Sequence, residues 1–383
     1  MDFSWSTEQL KFKDAVIQFA QRELDQDVLA RETSSVFPRE EWKKCASFGI
    51  QGLPLPKEYG GRDCDILTTM LAMEALGYGC RDNGLLFSIH AHMWSVLMPI
   101  LKFGTVDQKR RYLPKLCDGT WIGAHGMSEP GSGSDAFSLQ TQAVKKGDRY
   151  IVNGSKAFVT NAPFADLIML FATVDPAKKM FGVTGFLIEA TTKGLVLGKK
   201  GEKMGLNTAQ MGEVFLEDCE VPCENVLGGE GQGAVIFNYS MGWERSCILA
   251  STVGTMQRQL ETCIRYAKER RQFGKPIGSF QLLASKLVDM KVRLETARLI
   301  LYRTAWSQLT GALTPMDAAM AKLYISECAV QSALDAIQIH GARGYSKDVG
   351  VERDLRDAIA GRIYSGTSEI QRVIIARGLG LPN

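Results

Sequence analysis

The chain has no excess of either charge. Lys and Arg number 45, Asp and Glu 42, and the formal net charge is +3 over 383 residues. That balance leaves no electrostatic footprint for nucleic acid or a membrane surface. No run of about 18 apolar residues stands out, so no membrane span is expected. The stretch Met1 to Trp5 is acidic and lacks a basic-then-apolar pattern, so no secretory leader is expected either. Histidine is scarce. The four present, His90, His92, His125 and His340, form no His-x-x-x-His pair. The nine cysteines are odd in number and scattered, and only Cys219 and Cys223 lie close together. Zinc chemistry and a disulfide framework are therefore not expected, and free thiols in a reducing, cytoplasmic setting are. What is present is an ordinary globular balance, 45% hydrophobic and 23% charged, which excludes disorder. At about 150 residues per domain, the length suits two or three units.

The periodicity divides the chain into three zones. Residues 1–120 read as helices. Ser6 stands before Gln9 at capping-box spacing, Pro38 opens a helix that stops near Gly49, and apolar helices fill about 66–79 and 84–103. Residues 121–230 read as a barrel-like β-domain, with strands over 167–172, 181–188 and 211–216. Asn153-Gly154 between apolar runs predicts a two-residue hairpin turn there. Residues 231–383 read as a helical bundle. One long pattern covers 234–271 with a break near Gly254, and helices follow over 282–309, 315–340 and 351–376. The fold class expected is α+β, helices then β-domain then a four-helix bundle.

Two stretches, Gly131 to Ala136 and Gly229 to Ala234, match the dinucleotide pattern Gly-x-Gly-x-x-Gly/Ala. Neither sits between a predicted strand and helix with an acidic residue about 20 positions on, so a Rossmann site is not expected. The glycines shape turns, or expose backbone N–H groups to an anion or a flavin edge.

The segment His125-Gly126-Met127-Ser128-Glu129-Pro130-Gly131-Ser132-Gly133-Ser134-Asp135 resembles the flavin-binding signature of the acyl-CoA dehydrogenase family. So do Arg270 to Lys275, Gln281, Gln338 to Tyr345, and Tyr364-Ser365-Gly366-Thr367-Ser368-Glu369-Ile370-Gln371-Arg372, all in family order. The resemblance spans the chain and implies FAD held between the β-domain and the C-terminal helices. Met127, Ser128 and Ser134 would contact it from the first signature. Phe158 and Thr160 would face the flavin ring, although the two could simply pack as neighbours on one strand face. Arg270, Phe273, Gln281, Gln338 and Gly341 would bind pyrophosphate and adenine across a subunit boundary, which suits an Arg fork. Thr367 and Glu369 would contact the cofactor from the flavin-holding subunit. A homotetramer is implied.

The implied reaction oxidises the Cα–Cβ bond of an acyl thioester. A carboxylate takes the α-proton and hydride leaves the β-carbon. Many members carry Glu after the tyrosine of the last signature, where this chain has Ser365. Ser365 is a poor base, though its backbone N–H could polarise the thioester carbonyl. Glu244 instead falls where branched-chain members place their base, and Arg245 beside it orders the site. Taken without the resemblance, Glu244 would be a solvated helix residue or an ion-pair partner. His90 and His92 read as satisfied helix residues or as pocket lining, His125 as a residue beside the flavin loop, and His340 as structural.

Ile89 to Trp94, with Trp243-Glu244-Arg245, is similar to the family branch that oxidises prolyl groups on carrier proteins to pyrrolyl. A short or branched-chain acyl-CoA dehydrogenase is the alternative, followed by a flavin monooxygenase on the same fold or a non-catalytic flavoprotein. The electron acceptor implied is an electron-transferring flavoprotein or O2.

Overall fold

The computed structural model describes residues 4–382; most of the Met1–Trp5 stretch read for a leader lies outside them. The N-terminal helices are α1 (Thr7–Glu23), α2 (Val28–Ser34), α3 (Arg39–Phe48), α4 (Ile66–Gly79), α5 (Asn83–His92), α6 (Met98–Phe103) and α7 (Val106–Cys117). Ser6 and Gln9 form the capping box that opens α1. Pro38 is the residue before α3 rather than its first helical one, and Gly49 closes that helix at φ 88°.

The stretch Asn83–Phe103 is the one place among the described residues where length and composition match a membrane span. It is helical, 21 residues long and apolar enough, yet 83% of its most apolar window is buried inside the molecule. Between α5 and α6 the helix widens into a π-helical turn, Met93–Leu97.

The strands are β1 (Gly123–Gly126), β2 (Gln142–Lys146), β3 (Arg149–Thr160), β4 (Leu167–Thr173), β5 (Val183–Glu189), β6 (Leu195–Lys200), β7 (Met211–Pro222) and β8 (Val226–Leu227). They form one mixed sheet in the order β6-β7-β3-β2-β4-β5-β8, with β1 parallel to β4. The hairpin expected at Asn153-Gly154 is absent. Those residues lie inside β3, where the register against β7 shifts between Val152 and Gly154. An Asn-Gly pair suits a bulge as well as a turn, since both need a residue freed from ordinary β geometry. The actual turn is Gly147-Asp148, joining β2 to β3 with Lys146 opposite Arg149; Gly147 sits at φ 64°, which suits the mirror-image turns of hairpins.

The last zone holds α8 (Gly233–Cys247), α9 (Ala250–Glu269), the short hairpin β9 (Arg271–Gln272) and β10 (Lys275–Pro276), α10 (Gln281–Leu309), α11 (Pro315–His340), α12 (Ala342–Tyr345), α13 (Val351–Ala360) and α14 (Ser368–Gly378). Two expectations need correction. The break in the 234–271 pattern falls at Ile248-Leu249, and 351–376 is two helices around a turn at 361–367. Gly254 lies inside α9 because α4 crosses there. A Cβ on Gly254 would stand 2.0 Å from the Glu74 carbonyl oxygen. The glycine marks contact between helices rather than a helix end.

One apolar core runs from the N-terminal helices into α8–α11, and a second lies within the sheet. The cleft left between sheet and helices is where the candidate chemistry collects.

Candidate active site

A cleft of about 1540 Å³ runs between the β-domain and the C-terminal helices. Met127, Ser128, Ser134, Phe158, Thr160, Glu244, Arg245, Ser365 and Thr367 all line it. Arg270, Phe273, Gln281, Gln338, Gly341 and Glu369 do not; they lie exposed elsewhere on the chain.

The β-domain wall is built from the 127–135 loop and the end of β3. A buried ion pair fixes that loop. Lys156 Nζ donates to Glu129 Oε1 at 2.7 Å and to the Met127 carbonyl at 3.2 Å. Glu129 also accepts from the Gln140 and Thr141 N–H groups. Both side chains are essentially inaccessible. Burial pulls the Lys156 ammonium down to about 8, against the pull of Glu129. Burial alone would raise Glu129, but Lys156 and the two N–H donors outweigh it and hold the carboxyl below its ordinary range. Phe158 adopts φ 58° and is 70% exposed, so the reading of Phe158 as simple packing is set aside. Asn161, at the end of β3, is fully buried and donates to the Ser88 and Gly123 carbonyls, pinning the wall to α5 and β1.

On the helical wall stands Glu244, in α8, 7% exposed. Its two carboxylate oxygens accept from two hydroxyls, Ser95 on one side and Ser365 on the other. Burial raises its pKa, while the two serines, Arg245 and Lys322 oppose that rise. Ser365 stands at φ 54° and Gly366 at φ 91°. This turn is held from behind. Arg245 Nε donates to the Ser365 carbonyl at 3.2 Å, Lys322 Nζ to the Gly366 carbonyl at 2.7 Å, and Gln371 Nε2 to both. Lys322 is buried, which lowers its pKa to about 8. Tyr364 packs at a tilt against Phe87, ring centres 4.5 Å apart, closing the cleft beside Glu244. The carboxylate, two bracketing hydroxyls and a turn locked from behind make an arrangement that can hold and accept a proton.

The histidines separate. His90 accepts from Trp94 Nε1 at 2.8 Å and contacts Ser251 Oγ at 2.9 Å. His92 accepts from the Gly123 N–H at 2.9 Å and contacts the Leu116 carbonyl at 3.0 Å. Both are satisfied helix residues, and neither lines the cleft. His125 does line it, between Phe171 and Phe237. His340 stacks on Tyr266 and is structural. The first glycine pattern lies in the β1–β2 loop, and the second opens α8, with no strand–helix–strand unit around either.

Sequence reasoning missed Ser95, Lys156, Lys322 and Gln371. No spacing marks a lone serine in an apolar helix, and a lysine in a strand reads as surface.

Models of the acyl-CoA dehydrogenase N-terminal, middle and C-terminal domains match residues 6–120, 124–219 and 231–380. An L-prolyl peptidyl-carrier protein dehydrogenase of Pseudomonas fluorescens is 42% identical over 382 residues, spanning 100% of both chains. Among solved structures, the prolyl acyl carrier protein oxidase AnaB matches with TM-score 0.98 and 53% identity, over 99% of this chain and 100% of that one. PigA with FAD and proline matches with TM-score 0.97 and 42% identity over 100% of both. With all three domain models matched in order and relatives similar along their whole length, the chain belongs to the acyl-CoA dehydrogenase family.

Proposed function

We propose that this protein is an FAD-dependent dehydrogenase that oxidises a prolyl thioester on a carrier protein to the pyrrolyl thioester. The observation that carries the chemistry is the buried Glu244 carboxylate facing the cleft between two hydroxyls. The substrate rests on the relatives named for prolyl carrier proteins and on the PigA structure with FAD and proline.

The cleft suits FAD. Hydroxyls of Ser128, Ser134 and Thr160 line it, and Phe158 offers an exposed ring. At Gly131 and Gly133 a Cβ would meet nothing within 4 Å, leaving open backbone for a large ligand. Met127, Ser128, Ser134, Phe158, Thr160 and Thr367 would hold the cofactor from this chain. When bound, FAD would supply the two-electron acceptor for the hydride, twice per prolyl group, with the electron acceptor reoxidising it between the two oxidations.

Glu244 takes the α-proton. Burial keeps it basic enough, and Ser95, Ser365, Arg245 and Lys322 keep a share of it ionised. The Ser365 and Gly366 N–H groups donate to no protein group among the described residues and lie beside the base. They polarise the thioester carbonyl, where negative charge develops as the proton leaves. Tyr364 and Phe87 wall the reacting end against water.

Arg270, Phe273, Gln281, Gln338 and Gly341 complete the cofactor site of a neighbouring subunit in a homotetramer, which accounts for their exposure away from the cleft. Glu369 joins the cofactor from α14. The electron acceptor is an electron-transferring flavoprotein or O2, and oxygen uptake with and without that flavoprotein separates the two. The nine cysteines are all free, which supports the reading of a reducing, cytoplasmic setting.

The test is anaerobic flavin absorbance with a prolyl-loaded carrier protein against a panel of short acyl-CoA thioesters. Rapid bleaching with the carrier substrate alone is expected. Bleaching with an acyl-CoA alone would overturn the prolyl assignment.

A further inference from the structure

The π-helical turn Met93–Leu97 interrupts an otherwise continuous helix, α5 to α6, and it has a cause in the sequence. Pro99 lacks an N–H, so it cannot donate to the Ser95 carbonyl as an α-helix would require. The register widens, and the Met98 N–H reaches back to the Met93 carbonyl, five residues away. Such a turn inserts an extra residue per turn and re-aims the side chains within it.

Two of those side chains meet α8 as a pair. Trp94 stacks on Trp243, ring centres 5.7 Å apart and planes within 2°. The next residue, Ser95, donates its hydroxyl to Oε1 of Glu244, the next residue of α8. Ser95 is 1% exposed, so water cannot readily replace that bond. We propose that Ser95 is a positioning residue for the catalytic carboxylate, aimed at it by the π turn and locked in place by the tryptophan stack beside it. This rests on the reading of Glu244 as the base.

The consequence follows from the second oxygen. Ser365 holds Oε2 from a turn on the opposite element. With one hydroxyl on each oxygen, rotation of the carboxylate about its terminal bond costs at least one hydrogen bond, and its plane is fixed. Removing Ser95 frees that rotation and also removes a donor that favours the charged form. The other charged or titratable groups facing Glu244 are Arg245 on its own helix, Lys322 on α11 and Tyr364 in the turn. None of them bonds to Oε1.

The experiment compares holoenzyme of wild type, Ser95→Ala, Ser95→Thr and Glu244→Gln. It reads the pH profile of kcat/KM with a prolyl-loaded carrier protein, and the exchange of the substrate α-proton with deuterated solvent in dithionite-reduced enzyme. For Ser95→Ala, kcat falls about tenfold with KM nearly unchanged, and the acid limb moves up by about one pH unit. Exchange slows in parallel, while Ser95→Thr, which keeps the hydroxyl, recovers most of the rate. An acid limb and an exchange rate that stay at wild-type values in Ser95→Ala, with Glu244→Gln inactive, would overturn the positioning role alone. Undiminished exchange in Glu244→Gln would overturn the base assignment instead. If Ser95→Ala fails to retain FAD, the Thr variant decides: wild-type profiles support the hydroxyl, and a shifted limb refutes it.

Discussion

Around Glu244 the chain supplies every partner itself. Each carboxylate oxygen has a hydroxyl, the Ser365–Gly366 turn is gripped by Arg245, Lys322 and Gln371, and on the facing β-domain wall Lys156 answers Glu129. At the β9–β10 end the situation is reversed. Arg270, Gln281 and Gln338 lie exposed, and Phe273 holds φ 49° with 92% of its surface exposed. A large aromatic side chain in a left-handed conformation is costly to keep when only the edge of Phe280, 6.0 Å away, meets it. The Glu244 side of the cleft is finished within one chain, and the exposed β9–β10 end is what the proposed homotetramer would cover.

Four experiments test that contrast. Glu244→Gln removes the base while keeping its shape, and kcat should fall about 10³-fold with FAD content unchanged; near-normal turnover would move the chemistry elsewhere. Lys156→Met leaves Glu129 buried without its counter-charge. Urea denaturation should show a loss of about 3–5 kcal/mol, largely recovered when Glu129→Gln is added. If the single variant kept wild-type stability, the 127–135 loop would not depend on the pair.

The third concerns acid. Burial depresses His90 to about 3, and His92 and His125 to about 4. Each is neutral in the folded protein where the unfolded chain is protonated, so the unfolded state binds more protons below about pH 6.5. Stability is then full above that pH and falls toward pH 4, by about 1.4 kcal/mol per pH unit for each histidine at most. Urea midpoints across that range check it, and His92→Gln should flatten the slope. The smallest effect is at the open end. Arg270→Ala should weaken FAD retention about tenfold, more so at low protein concentration, and leave the acid limb of the pH profile where it was. Loss independent of concentration would place Arg270 within its own subunit's site.

Legibility in the sequence followed the same division. Helices with caps or strong periodicity were plain, as at Ser6, Gly49 and the 315–340 segment. Glu244 emerged only by pairing it with the missing carboxylate at 365. What stayed hidden were features that depend on tertiary contact. Asn153-Gly154 reads identically as turn or bulge until β7 lies alongside. Gly254 reads as a helix break until α4 crosses it. The break at 361–367 is set by side chains from α8, α11 and α14 gripping carbonyls, which no local pattern announces. Ser95 was invisible because its role comes from the π turn, and Lys156 because its partner lies 27 positions away.

The Trp94–Trp243 stack also gives the protein an optical gauge. Two parallel indoles 5.7 Å apart share their excitation, so their ultraviolet dichroism and emission depend on how they are mutually oriented. One ring rides next to Ser95 and the other next to Glu244. A slip of the π turn against α8 by a fraction of an ångström would register as a change of light before any turnover is measured.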